Sequence, residues 1–390
     1  MQNNRKKICI VATVPYALVM FMKPHIAMLA EQYDVTLIAN GVKQDFSSML
    51  NENVRFFPVN IARKISLWRD VVSLFQLYRI FRKEQFDIVH SLMPKTGLLA
   101  MLAAFFVGVP HRIHTFTGQV WANKEGLARW GLKTLDKLIA KCATDLLTDG
   151  FPQRLFLIEQ HILEEIKIVV LGNGSTRGIE AERFKPNLAI RNQIRSNLGI
   201  SDNAVVYLFL GRLNKDKGIQ DLAYAFAGLA VNMPHAHLLV VGPDEGGMDS
   251  MLLSILEKCT GQFHRIGFTD KPEDYMACAD IICLPSYREG FPSVIIEAAA
   301  VGIPAVASNI YGVVDAVIDG ETGILHQPKS IEDIKRALLT LTNDADLRAK
   351  MSKQAMTRAH TFFATDILVN AMRKYYQNLL SRPSNGSPML

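Results

Sequence analysis

Several things that would place this chain quickly are missing. No Gly-x-Gly-x-x-Gly follows the first apolar run, where the sequence reads ATVPYALVMF, so a dinucleotide-dependent dehydrogenase is not indicated. Cysteines are few: Cys9, Cys142, Cys259, Cys278 and Cys283. Their number is odd and none is spaced with histidines, which excludes a disulfide framework and a zinc module and suits a reduced, cytoplasmic compartment. The apolar stretch LLAMLAAFFVGV, 98–109, is too short to cross a bilayer and reads as a buried helix. There is no repeat at a solenoid period. No nucleic-acid motif occurs among the aromatics, so nucleic acid is not an expected partner. Low complexity is confined to the closing SRPSNGSPML, which reads as a disordered tail.

What is present is a long, well-packed composition. The 390 residues are 49% hydrophobic and 21% charged, which is too much chain for one ordinary core and indicates two domains. The net charge is +6 and unevenly placed: residues 1–170 hold 21 Lys+Arg against 14 Asp+Glu, the rest 22 against 23. A basic first half suits an anionic partner such as a membrane surface, or is simply a solvated face. The opening RKK-ICIVATV imitates a secretory signal, but the apolar run ends at Pro15 without a small-residue cleavage site, so a buried strand over 7–13 is expected.

Short β-rich runs alternate with helical segments. KICIVAT, DVTLIAN, FDIVHSL, RIHTF and KIVVLG suit buried parallel strands, with helices such as LWRDVVSLFQLYRIFRK and GLARWGLKTLDKLIAKCA between them. GNGSTRGIEAERFKP then reads as a linker. A second series follows, AVVYLFLG, HLLVVG, FHRIGF, DIICLPS and PAVAS, and the stretch 331–380 reads as helical throughout. The class is α/β, two doubly wound Rossmann-like domains in series. The expected boundaries are 1–170, a linker at 171–188, 189–365, and a C-terminal helix and tail at 366–390 that crosses back to the first domain.

Ligands of such sheets bind beyond the carboxyl ends of the strands, and those positions carry the candidate chemistry. After LFLG come Arg212 and Lys217, with Gly218 opening a helix; two cations beside helix amides suit a diphosphate, or form an exposed basic turn. Gly267 and Phe268 follow FHRI, where a glycine lets a flat ring approach the backbone. After DIICLPS stands YREGFPSVIIEAAAVG. Gly290 permits unusual dihedrals there and Pro292 suits a helix start. Glu297 falls on the second turn of an apolar helix, where a carboxylate is expensive without donors such as ribose hydroxyls. Glu289 lies eight residues before it. Taken alone, the two glutamates also read as a cap and a salt-bridge partner.

Together these residues resemble the retaining glycosyltransferases of family 4, which have the GT-B fold of two Rossmann-like domains facing a central cleft. The resemblance rests on GRLNKDKG, on NGSTRGIEAERFKP, and on Glu-x7-Glu, here Glu289 and Glu297 within EGFPSVIIEAAAVGIPAVAS. It implies that Arg212 and Lys217 bind the diphosphate of a nucleotide sugar and that Glu297 binds the ribose. It places Glu289, with the backbone of Gly290, Phe291 and Pro292, on the donor sugar. Amides near Ser293 and Val294 would stabilise the leaving phosphate. UDP would be read near Gly267 and Phe268. No metal or other cofactor is expected, because cations and a helix dipole supply the positive charge, and no Asp-x-Asp is read in the chain. In the first domain His114 matches a position near the sugar or acceptor, though a structural histidine fits equally. Thr117, Gly118 and Gln119 follow on the acceptor side.

The chain departs from the pattern in two places. TVPYALVMFMKPH replaces a double-glycine loop, and STRGIE follows Asn173 and Gly174. The first departure is apolar and suits a polyprenyl-diphosphate-linked saccharide as acceptor. Trp68 and Tyr78, with Arg69, Arg79, Arg82 and Lys83, mark one helix for peripheral contact with an anionic membrane, unless it simply packs on the sheet. A GT-B epimerase and a non-catalytic nucleotide-binding module are the competing readings; the first needs further acid and base groups, and the second does not need the four charged residues together.

Overall fold

The computed structural model describes residues 5–62, 66–163 and 168–381. The expected tail, 381–390, lies outside them apart from Ser381. The chain divides into two compact units, the first running to Gly178 and resuming at Thr365, the second spanning Ile179–Ala364.

The first unit has seven strands: β1 (Lys7–Val11), β2 (Asp34–Ala39), β3 (Val54–Pro58), β4 (Ile88–Leu92), β5 (His111–Phe116), β6 (Asp145–Thr148) and β7 (Ile168–Val170). All pair in parallel in the order β3-β2-β1-β4-β5-β6-β7. Its first helices are α1 (Pro15–Ala17), α2 (Lys23–Ala30), α3 (Leu67–Glu84), α4 (Pro94–Val107), α5 (Gly126–Cys142) and α6 (Phe151–Glu159). Strands such as ICIV and VTLIA are buried on both faces, which is why their sequences do not alternate. Strands β3 and β6 escape the sequence pattern. The first is a half-exposed edge closed by Pro58, and the second is only four residues long.

Two expectations for this unit need correction. The 98–109 stretch is a helix, but Phe105 and Phe106 at its end are exposed. The loop after β1 is no loop, because Pro15 sits at a helix start and the chain passes through a π-helical turn at Leu18–Met22 into α2.

The second unit holds β8 (Val205–Leu210), β9 (Ala236–Val241), β10 (Phe263–Ile266), β11 (Ile281–Leu284), β12 (Ala305–Ser308) and β13 (Gly323–His326). They form a parallel sheet in the order β10-β9-β8-β11-β12-β13. Its helices are α7 (Leu188–Leu198), α8 (Ile219–Ala230), α9 (Met248–Ile255), α10 (Pro272–Cys278), α11 (Ser293–Val301), α12 (Ile331–Asn343) and α13 (Ala345–Phe362). Helix α14 (Thr365–Ser381) is part of the first unit. There Tyr376 meets His90 Nδ1 at 2.7 Å, and Met372, Tyr376 and Leu379 join the core on one face of the sheet. The stretch 331–380 is helical but for short breaks, as three helices. Asp344 breaks the run by capping α13, accepting from Leu347 N–H at 2.8 Å. All five cysteines are buried thiols.

Candidate active site

Each sheet changes winding direction once. In the second unit the reversal lies between β8 and β11, neighbours in the sheet but distant in sequence, and ligands collect outside such a point. The turn after β8 and the loop after β11 meet there. Lys217, on a 3-10 turn at Lys215–Lys217, donates from Nζ to Glu289 Oε1 at 2.6 Å. Tyr287 N–H donates to Asp216 O at 2.8 Å. Gly218 has φ +64, and a Cβ there would lie 2.0 Å from Pro285 O, so the two segments touch through the glycine. From the next strand's loop, Gly312 packs equally close against the Glu289 carbonyl.

Helix α11 starts at Ser293, with Pro292 as its N-cap residue and Val294 in its first turn. Its opening amides have no intrahelical partner. Glu297 is buried at 5% exposure, one turn further in. Arg212 follows β8 and pairs with Glu245 of the loop after β9, Nη1 to Oε2 at 2.9 Å. Phe291 packs its ring on Phe363, centroids 5.5 Å apart. Gly267 and Phe268 follow β10, two strands from β8, with Phe268 exposed and open space beside Gly267. Neither Gly267 nor Gly290 has a positive φ, so the dihedral freedom expected of Gly290 is not used; the close approaches belong to Gly218 and Gly312. The chain does contain an Asp-x-Asp, Asp344-Ala345-Asp346, and it is occupied as the α13 cap.

In the first unit the reversal lies between β1 and β4. Met93, directly after β4, has φ +72 and ψ 148, a conformation costly for a side chain with Cβ. Nothing in the sequence marks it beyond its place before Pro94. His114 lies within β5, next to β4, and is 1% exposed. Its Nδ1 meets Ser91 Oγ at 2.8 Å, and its ring lies where a Cβ on Gly97 would stand, 2.4 Å from Cε1. Its buried Nε2 has no hydrogen-bond partner among the described residues. Burial pushes the His114 imidazole down to about 3, and His90, bonded to Tyr376 and Thr115, also to about 3. Thr117 is half-buried, Gly118 has φ +56, and Gln119 is buried and accepts from Gln153 Nε2 at 3.4 Å. Of these three, Thr117 alone is partly exposed.

Both histidines are therefore neutral at physiological pH. The unfolded chain binds their protons below about pH 6.5, whereas the folded chain binds them only near pH 3. The stability they contribute is full above pH 6.5 and lost as pH falls toward 3. Buried Asp136 and Asp149, raised to about 6, act oppositely: they favour the fold at low pH and lose that contribution as pH rises through 6. His25, His237, His264 and His326 are pushed down by burial as well, so the histidine loss outweighs the aspartate gain and melting should fall as pH drops below about 6.5. In NMR titrations the His114 ring signals should stay constant from pH 8 to 5; an inflection near 6.5 would contradict the burial.

The arrangement can hold a dianion against Lys217, Arg212 and a helix start, and can accept hydroxyl hydrogen bonds at two carboxylates. Comparisons with known proteins give the chain a family. Residues 190–358 match the family model described as glycosyl transferases group 1, and residues 26–174 match the glycosyl transferase 4-like domain. The chain is 29% identical over 350 residues to the capsular polysaccharide biosynthesis glycosyltransferase CapM of Staphylococcus aureus, covering 89% of this chain and 90% of that protein. It is 29% identical over 363 residues, 90% of each chain, to an Escherichia coli UDP-Gal:alpha-D-GlcNAc-diphosphoundecaprenol alpha-1,3-galactosyltransferase. To the D-inositol 3-phosphate glycosyltransferase of Corynebacterium efficiens it is 37% identical over 295 residues, 71% of this chain and 68% of that one. Among solved structures, Anabaena Alr3699/HepE in complex with UDP and glucose superposes with a TM-score of 0.78 at 16% identity, covering 97% of this chain and 100% of that one.

Proposed function

Because the chain belongs to the group 1 glycosyl transferases and has the GT-B fold, we propose that it moves a hexose or N-acetylhexosamine from a UDP-sugar to a hydroxyl of a polyprenyl-diphosphate-linked saccharide, with retention of anomeric configuration. The observation that carries the donor side is the contact of Lys217 with Glu289 at the switch point, beside the α11 N-terminus. As the sugar–phosphate bond breaks, charge builds on the β-phosphate oxygens. Lys217, Arg212 and the amides of Ser293 and Val294 meet that charge. Glu297 takes the ribose hydroxyls. Glu289, with the backbone of Gly290, Phe291 and Pro292, takes the sugar hydroxyls. The base lies at Gly267 and Phe268. His114 offers its open Nε2, as a neutral imidazole, to the sugar or acceptor, with Thr117 and Gly118 beyond β5 and Gln119 bracing that loop from inside. Retention corresponds to attack by the acceptor hydroxyl on the face the phosphate leaves. Because fixed cations meet the diphosphate, the reaction runs without a metal. The choice of UDP and of a lipid diphosphate is supported by the E. coli relative's donor and acceptor.

Calorimetry with UDP, GDP, ADP and NAD in EDTA tests the donor side. UDP should bind selectively. Failure of every nucleotide to bind would return the glutamates to a structural role.

The acceptor reading places the protein at the inner face of the cytoplasmic membrane. No helix among the described residues is long and apolar enough to cross a membrane, so contact would be peripheral. Helix α3 buries Ser73, Leu77 and Phe81 and leaves Leu67, Trp68, Val71 and Phe75 exposed. It packs on α4, and α4 on α5, whose Leu127 and Trp130 are also exposed. Basic side chains near an anionic surface contribute about 1 kcal/mol each. Replacing Arg79, Arg82 and Lys83 by serine should weaken binding to anionic vesicles by roughly a hundredfold at low salt. Unchanged cosedimentation would contradict this.

A further inference from the structure

The turn after β8 and the loop after β9 are locked together. Leu213 N–H donates to Pro243 O at 2.9 Å, and Glu245 N–H donates to Leu213 O at 3.1 Å. A Cβ on Gly242 would lie 2.0 Å from Gly211 O. Asp244 fixes the loop to the start of α9 by accepting from the N–H groups of Gly246, Met248 and Asp249. From this anchored loop Glu245 reaches Arg212 at 2.9 Å, with the two side chains 39% and 51% exposed. A pair so exposed adds little to stability. Its consequence is electrostatic, since a fixed carboxylate stands beside a cation of the proposed diphosphate site and opposes the ligand's charge. Asp216, the acid of the turn after β8, is engaged by Arg288 at 3.1 Å.

The chemistry of the ligands gives that opposition a use. A nucleotide sugar carries two negative charges on its diphosphate. Once the sugar has gone, the β-phosphate has a terminal oxygen whose second ionisation lies near pH 6, so the product carries close to one more charge at neutral pH. A fixed carboxylate therefore repels the product more than the donor. We propose that Glu245 is a product-release residue: it competes with the β-phosphate for Arg212 and lowers the affinity for nucleoside diphosphate more than for nucleotide sugar. This rests on the donor-site reading above and deepens it. For like charges separated by one guanidinium and partly screened by solvent, the extra repulsion corresponds to roughly a three- to tenfold difference in affinity.

Glu245→Gln keeps the shape and removes the charge. Calorimetry at low salt should show UDP binding roughly three- to tenfold tighter to the variant, with a smaller gain for UDP-glucose and a difference that shrinks with added salt. In turnover, kcat should fall and inhibition by UDP should strengthen. Glu257→Gln, the same charge change at an exposed site in the second unit, should leave UDP affinity unchanged. The inference is overturned if wild type binds UDP and Glu245→Gln binds it no more tightly, if UDP-glucose gains as much as UDP, or if Glu257→Gln gains equally. Failure of wild type and variant alike to bind UDP would instead sink the donor-site reading, and this inference with it.

Discussion

Lys217→Ala is expected to lower kcat/KM for sugar transfer by about 10²–10³-fold, the usual loss when one preorganised donor to a developing charge is removed. The fold should survive. The Lys217 and Glu289 side chains are 20% and 12% exposed, and Lys217 sits on a short turn outside the main core clusters. Melting should therefore stay within a few degrees of wild type. Removing the lysine also leaves Glu289 without its cation, which by itself could distort the sugar pocket. The double variant Lys217→Ala/Glu289→Gln separates the two effects. If Lys217 served only to neutralise Glu289, the second change would restore UDP binding. A lysine that meets the β-phosphate predicts no rescue, and UDP binding equally weak in the single and double variants. Measured Kd values for UDP and steady-state rates for the four proteins of this cycle decide the matter.

Gly218→Ala is expected to damage stability and activity together. At φ +64 an alanine costs about 1–2 kcal/mol. Its Cβ would also stand 2.0 Å from Pro285 O and 2.8 Å from Pro285 C, both backbone atoms with little room to yield. The segments after β8 and β11 must then separate, for a total of roughly 3 kcal/mol or more. Lys217 is the preceding residue, so the same shift pulls its ammonium away from Glu289. Gly199→Ala is the control, since φ there is +68 and no atom lies within 4 Å of the added carbon. It should lose only the backbone contribution and keep transfer intact. Urea unfolding of both variants, with UDP affinity measured alongside, would show whether the loss at Gly218 exceeds that at Gly199. Equal losses would mean that the contact with Pro285 yields freely and does not hold the site.

The elements that announced themselves in the sequence are those buried on both faces. ICIV, VTLIA, VVYLFL and HLLVV are unbroken apolar runs because helices cover both sides of each sheet, and their ends located the candidate site. VRFFP alternates irregularly at a half-exposed margin, and DLLT and GILH were not legible although IICL and AVAS, equally short, were. Glu289 and Glu297 were legible because a carboxylate in an apolar helix, and another before its Pro-containing start, break the local pattern. Glu245 was not legible, since an acid in a Gly-rich loop looks ordinary until its loop is seen stitched to the turn that bears Arg212. Met93 was hidden for a different reason: backbone strain leaves no mark on residue type. The burial of Gln119 and His114 could not be read either. Both follow from which neighbours, Gln153 and Gly97, pack against them, and those lie 34 and 17 positions away.

Sugar transfer itself is the most direct test. The protein would be incubated in EDTA with labelled UDP-glucose, UDP-galactose and their N-acetyl forms, together with a polyprenyl-diphosphate-linked N-acetylglucosamine in anionic vesicles. The prediction is that one UDP-sugar labels the lipid fraction, that the new linkage keeps the donor's α configuration by NMR, and that Lys217→Ala slows the labelling by about 10²–10³-fold. Product with inverted configuration, or labelling that requires added Mg²⁺, would contradict a retaining transfer driven by Lys217, Arg212 and the α11 amides.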